Sequence, residues 1–278
     1  MTTRTPLVDL AWLKEHASDP DVRLVEVDVD NALYEKGHLP GAIPWNWTTD
    51  LNDPVRRDVA SKAQFESLLS RSGIEPTTTV VLYGDNNNWF AAFGHWLLKY
   101  YGHEDARLLD GGRRKAELER VPFVAERPAV KPTQYRIARV REELRATRDQ
   151  VLDAARRGTH GLVDVRSPDE YTGKILAPPG LSETALRGGH VPGAVNVPWA
   201  KAVNEDGTFR RPEELRALYG ALPAGKDVIT YCRIGERSSH TWFALHEVLG
   251  QPNVRNYDGS WTEYGNLIGA PIATGPAP

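Results

Sequence analysis

The sequence predicts an α/β fold built twice, each copy a mostly parallel β-sheet flanked by helices. Two observations predict it. Short β-type apolar runs alternate with amphipathic stretches of helical period, the pattern of strand–helix–strand units whose sheet is covered on both faces. The same motifs also recur once, in the same order. Leu24-Val25-Glu26-Val27 matches Leu162-Val163-Asp164-Val165, and Gly37-His38-Leu39-Pro40-Gly41-Ala42 matches Gly189-His190-Val191-Pro192-Gly193-Ala194. Val81-Leu82-Tyr83-Gly84-Asp85 is set against Val228-Ile229-Thr230-Tyr231-Cys232, and Asp110-Gly111-Gly112 against Asp258-Gly259-Ser260. The near-constant spacing means two copies of one domain, at a period too long for a solenoid. A wider spacing at the second match places an insertion in copy two, near Ile175 to Arg187, where Ala177-Pro178-Pro179-Gly180 is loop chemistry.

The elements follow in order. In copy one, Leu7 to His16 reads as a helix, Arg23 to Val27 as a strand and Lys62 to Ser70 as a helix. Thr79 to Tyr83 is a strand, Trp89 to Tyr101 a helix and Ala106 to Leu109 a short strand. Copy two repeats the series with Arg139–Arg157, Gly161–Val165, Pro212–Leu218, Asp227–Tyr231, Ser239–Leu249 and Val254–Tyr257. Between them, residues 125–134 carry two prolines and no periodicity, which suits an extended connector. The boundary is therefore set near residue 130, giving domains of residues 1–130 and 131–278.

Length and composition bound the rest. A chain of 278 residues suits two domains, each able to bury its own core. Its hydrophobic share of 40%, charged share of 26% and net charge of −3 give no reason to expect nucleic acid or an acidic membrane as partner. One cysteine excludes an intramolecular disulfide and a two-cysteine redox motif. Neither an apolar signal core nor a run long enough to span a bilayer is present, so a cytoplasmic protein is expected.

That one cysteine, Cys232, stands between the strand ending at Tyr231 and a helix that Ser238-Ser239 can cap. An isolated cysteine is most often a small core hydrophobe. Its flanks argue otherwise, because Arg233, Gly235 and Arg237 make a poor core and a good anion cradle. In parallel sheets ligands sit beyond the C-terminal strand ends, where Cys232 falls. A helix N-terminus and two arginines stabilise thiolate over thiol, so a lowered pKa and a ready nucleophile are expected.

With Asp164-Val165-Arg166, the Gly-His-x-Pro-Gly-Ala run at Gly189, the Cys232 loop and Tyr257-Asp258-Gly259-Ser260-Trp261 in view, the chain resembles a two-domain rhodanese, the family of thiosulfate and 3-mercaptopyruvate sulfurtransferases. The resemblance implies two rhodanese-like domains, with catalysis in the C-terminal copy. The N-terminal copy would be catalytically silent, with Asp85 expected at the place of Cys232. The implied chemistry is ping-pong, without metal or organic cofactor. Cys232 takes the outer sulfur of a small-molecule donor as a persulfide, and a thiophilic acceptor such as cyanide or a thiol removes it. The backbone N–H groups from Arg233 to Ser238 would cradle the persulfide, which makes Arg233, Ile234, Gly235, Glu236, Arg237 and Ser238 the expected substrate-binding residues. Arg233 matches the loop of the thiosulfate enzymes, while Ile234 and Glu236 match neither type. Thiosulfate is thus the expected donor and 3-mercaptopyruvate the alternative.

The remaining residues divide by role. Arg233 and Arg237 would face the anionic group of the donor, Gly235 would permit positive φ, and Ser238 could cap the helix or touch substrate. Asp164 and Arg166, at a strand end, are read as a buried ion pair that serves as scaffold for the loop. His38 and His190, in equivalent turns of both copies, are read as serving the fold. Trp45, Trp47 and Trp199 are read as packing. Glu170 takes a place where the resemblance implies an arginine, and its carboxylate would repel an anion if it faced the pocket. Two other classes stay open. Cysteine phosphatases use a Cys-x5-Arg loop wide enough for phosphate, whereas Cys232 and Arg237 form the shorter Cys-x4-Arg. A non-catalytic binding module would suit a silent first copy better than an intact Cys232 loop.

Overall fold

The computed structural model of the chain describes residues 5–180, 184–223 and 225–278. Part of the expected insertion, residues 181–183, therefore lies outside the described residues. Among the described residues nine strands form two sheets. They are β1 (Leu7–Val8), β2 (Val22–Asp28), β3 (Ile43–Asn46), β4 (Thr79–Tyr83), β5 (Ala106–Leu109), β6 (Gly161–Asp164), β7 (Ala194–Asn196), β8 (Val228–Tyr231) and β9 (Val254–Tyr257). The first sheet runs β1-β5-β4-β2-β3 and the second β7-β6-β8-β9, and every pairing is parallel. The chain divides into two compact units, Met1–Arg141 with Glu205–Phe209, and Glu142–Asn204 with Arg210–Pro278. No described helix is long and apolar enough to cross a membrane.

Each unit encloses its own core. Leu24, Val81, Tyr83 and Leu109 pack from one sheet with Leu13 and Tyr34 from its helices. In the second unit Leu162, Ile229, Tyr231 and Tyr257 pack with Val151, Tyr171 and Trp261. Burying a side chain of this size contributes roughly 1.5–3 kcal/mol, which is why the central strands read as apolar runs.

The repeat extends to individual hydrogen bonds. His38 stacks on Tyr34 and His190 on Tyr171, each with ring centroids 3.7 Å apart. Each histidine Nδ1 meets the carbonyl of its stacking tyrosine, and each tyrosine hydroxyl donates to the alanine that closes the Gly-His-x-Pro-Gly-Ala run, Ala42 or Ala194. Both histidines thus serve the fold, as their presence in both copies implies. Trp45 and Trp47 are buried in the first unit.

Several boundaries differ from the sequence reading. Leu7 and Val8 form β1, and the helix starts at Leu10 because Asp9 caps it by accepting the Trp12 N–H. The expected helix from Arg139 begins only at Arg148, where Thr147 and Gln150 form a capping box. Strands β3 and β7 were not expected. Each has only three or four residues, and β3 holds Pro44, which suits the sheet edge it occupies. The helix after Cys232 spans Glu236–Trp242, three residues earlier than expected, and continues as a π-helix over Phe243–Val248.

Candidate active site

β8 carries the chain to Cys232 at the C-terminal edge of the second sheet. Its side is set by strand register, with Tyr231 between Asp164 of β6 and Tyr257 of β9. Past Tyr231 the backbone turns within four residues into the helix Glu236–Trp242. Gly235 makes the turn at φ +100°, and a Cβ there would lie 2.9 Å from the backbone of Asp258. No L side chain fits that position without displacing the neighbouring loop, so glycine is required as the sequence suggested.

Fixed partners hold the loop on both sides. The Cys232 N–H donates to Ser260 Oγ at 3.0 Å. The Cys232 and Arg233 carbonyls accept the Trp261 and Thr262 N–H groups, both at 3.0 Å. Thr262 Oγ1 adds a second donor to the Arg233 carbonyl. Ser238 and Ser239 do not cap the helix from outside; they lie in its first turn and both hydroxyls donate to the Gly235 carbonyl. Asn256 of β9 ties them to the sheet, its Oδ1 2.6 Å from Ser238 Oγ and its Nδ2 donating to Ser239 Oγ. Ser238 is thereby tied to the loop and the sheet, and Ile234 is buried.

Among the contacts that reach the sulfur, two are short. The Gly235 N–H donates to Sγ at 3.1 Å, and the thiol donates to Glu236 Oε2 at 3.2 Å. Cys232 is fully buried. Burial pushes its thiol pKa up and the Glu236 carboxylate adds to the rise, while Arg237 and hydrogen bonds from Ser238 oppose it. This reverses the lowered pKa expected from the sequence. The helix terminus and the arginines are present, but dehydration and an acidic neighbour outweigh them.

Arg237 is occupied differently from its expected role. Its Nη1 and Nη2 donate to Glu170 at 3.0 and 3.1 Å, and its Nε lies 3.4 Å from Glu236 Oε1. Glu170 is fully buried, and its Oε2 also accepts the Ser167 N–H. Burial works to raise its pKa, but the Arg237 contacts and the Ser167 N–H bring it below the usual carboxylate value. Glu170 is therefore turned to Arg237, which it anchors, and does not face an incoming anion. Sequence spacing gave no sign of this pair, whose members are 67 residues apart. Asp164 and Arg166 form the buried ion pair expected of them, at 2.6 Å, with Arg166 also donating to the Gly189 carbonyl and lying over the Trp261 ring. Trp199 meets His240 edge-on with centroids 5.5 Å apart.

The first unit shows which residue corresponds to Cys232. Tyr83 pairs with Glu26 as Tyr231 pairs with Asp164, and the Tyr83 and Tyr231 hydroxyls accept the N–H of Leu39 and of Val191. The next carbonyl, of Gly84, accepts the Arg113 N–H as that of Cys232 accepts the Trp261 N–H. Gly84, not Asp85, therefore holds the Cys232 position, a shift of one residue from the sequence alignment. Asn86, Asn87 and Asn88 all have positive φ and replace the Cys232 loop. Among the described residues no group of three or more His, Cys, Asp or Glu side chains is placed to hold a metal ion.

Residues 9–117 and 147–267 each match the family model described as the rhodanese-like domain. A protein of Mycolicibacterium smegmatis named putative thiosulfate sulfurtransferase is 54% identical over 272 residues, covering 97% of this chain and 98% of its own. The sulfur carrier protein TtuD of Thermus thermophilus is 53% identical over 275 residues, with 97% and 96% covered. Among solved structures, the 3-mercaptopyruvate sulfurtransferase SseA of Escherichia coli superposes with a TM-score of 0.78 at 26% identity, over 92% of this chain and 99% of that one.

Proposed function

The chain belongs to the rhodanese-like family, and from that premise we propose that it is a thiosulfate sulfurtransferase acting through Cys232 of its second unit. Sγ attacks the outer sulfur of thiosulfate, sulfite leaves, and the persulfide passes its sulfur to a thiophile such as cyanide. One observation carries the reading: the chain's single thiol ends a central parallel strand and already receives a backbone N–H from its own loop, Gly235 to Sγ at 3.1 Å. Such a donor stabilises sulfur anion as it develops, in the manner of an oxyanion hole. The first unit offers no second nucleophile at the equivalent position, where Gly84 stands. The reaction so written uses no metal and no organic cofactor.

The commitment of Arg237 to Glu170 favours a second reading, in which 3-mercaptopyruvate, a donor of lower charge, is the better substrate. A compact dianion asks for concentrated positive charge, and here one of the two loop arginines is spent on an internal pair. The test starts from cyanide-treated protein incubated with thiosulfate and weighed intact. One added sulfur atom is expected on the wild type and none on Cys232→Ser, since a serine hydroxyl cannot carry a persulfide. Loading of the serine variant would remove Cys232 as the carrier. Comparing kcat/KM for thiosulfate and 3-mercaptopyruvate at fixed cyanide then decides the donor.

A further inference from the structure

We propose that Glu236 is the proton acceptor for Cys232, so that the loop carries its own base; the proposal rests on the sulfur-transfer reading and assigns Glu236 a role other than binding the donor. The geometry is direct. Glu236 follows Cys232 by four residues, the shared turn brings its Oε2 to 3.2 Å from Sγ, and that contact takes the thiol hydrogen. Both groups are buried, Cys232 at 0% and Glu236 at 2% exposure, which makes this carboxylate the acceptor in direct contact with the thiol. Glu236 is itself held from the far side, its Oε1 3.4 Å from Arg237 Nε, and Arg237 is fixed by Glu170.

Charge accounting favours an internal transfer. Around the contact, Arg237 pairs with both Glu170 and Glu236, Asp164 with Arg166, and Asp258 with Arg145. Losing the thiol proton to solvent would add a negative charge to this buried set just as a dianionic donor arrives. Moving it to Glu236 leaves the total unchanged. The step balances. The S–H bond breaks with its proton passing to Oε2, and the freed Sγ electron pair forms the bond to the outer sulfur of thiosulfate. The donor S–S bond breaks with its electron pair on sulfite. Glu236 returns the proton to sulfite, which departs as hydrogensulfite, and Cys232 keeps an anionic persulfide facing the Gly235 N–H.

The same geometry admits an opposite effect: a carboxylate that only repels thiolate. The two make opposite predictions for Glu236→Gln, which keeps the shape and loses the base. As an acceptor, Glu236 is needed at neutral pH. The variant should then load sulfur from thiosulfate, and react with iodoacetamide, roughly a hundredfold more slowly near pH 7. The deficit should close at alkaline pH, where the thiol ionises unaided. Equal or faster alkylation of the variant near pH 7 overturns the proposal. Iodoacetamide is neutral and carries no sulfur, so this arm decides the role of Glu236 even if the wild type takes no sulfur from thiosulfate, a result that would sink the sulfurtransferase reading instead. If the variant does not fold, the wild-type alkylation profile still decides. A plateau on the acid side of the thiol pKa supports an internal base, and a tenfold rise per pH unit with no plateau refutes it.

Discussion

At the scale of single residues, the buried pair between Arg237 and Glu170 changes what a substitution at Arg237 reports. On sequence grounds an arginine beside a nucleophilic cysteine binds the donor, and its removal lowers kcat/KM alone. Here both side chains are buried and joined by two hydrogen bonds. Arg237→Ala strands the Glu170 carboxylate in a dry site, and breaking such a pair costs about 3–5 kcal/mol. We expect a correspondingly lower denaturation midpoint, with no recovery at high thiosulfate. Unchanged stability with a raised KM for thiosulfate would restore the donor-binding role. Cys232, Gly235 and the ion pair of Asp164 with Arg166 were legible because their chemistry is local to a motif. The Arg237–Glu170 pair and the raised thiol pKa were not, since both arise from side chains that only folding brings together.

At the scale of elements, unbroken apolar runs were legible, whereas two interrupted strands and several helix starts were not. Thr79–Tyr83, Ala106–Leu109, Pro212–Leu218 and Val254–Tyr257 stand where apolar pattern placed them. β3 escaped because Pro44 interrupts its apolar run and β7 because only Ala194 and Val195 precede Asn196, and helix starts shifted wherever a cap outweighed the pattern, as Asp9 and Thr147 do. The one-residue shift between the copies came from aligning apolar runs without the tyrosine hydroxyl that fixes register. It has a measurable consequence. A Cβ at Gly84 would lie 2.3 Å from the Val27 carbonyl oxygen and 2.9 Å from Asp28 Oδ1, so the first unit lacks both the thiol and the room for one. Gly84→Cys, made in the Cys232→Ser background, should lose about 1–3 kcal/mol by overpacking and should not load sulfur from thiosulfate. A stable variant that acquires one sulfur atom would show that the first loop can host the chemistry.

At the scale of the whole molecule, two copies of one fold respond to pH in opposite directions. In the second unit, Glu170 lies below its usual value despite burial, because of Arg237; its stabilising contribution is present at neutral pH and lost as pH falls. In the first unit, burial, and then the neighbouring Asp85 charge, push Asp28 up to about 8, and Glu26 and Asp85 are also raised, mainly by burial. A carboxyl raised in this way is held protonated by the fold. Its stabilising contribution is complete below the ordinary value of 3.8 and is lost as pH rises toward about 8. The first unit should therefore soften toward alkaline pH while the second softens toward acid. Asp28→Asn separates this effect from general charge repulsion, since an amide oxygen can still accept the Asp85 N–H that Asp28 Oδ1 accepts at 2.8 Å, yet the amide cannot ionise. The variant should gain about 1–3 kcal/mol over wild type at pH 8 in the first unit, with the gain fading toward pH 4. Hydrogen exchange resolved by segment is the measurement, because β2 and β4 report the first unit and β6 and β8 the second. Identical pH dependence of β2 and β4 protection in variant and wild type would show that Asp28 is ionised in the fold across this range.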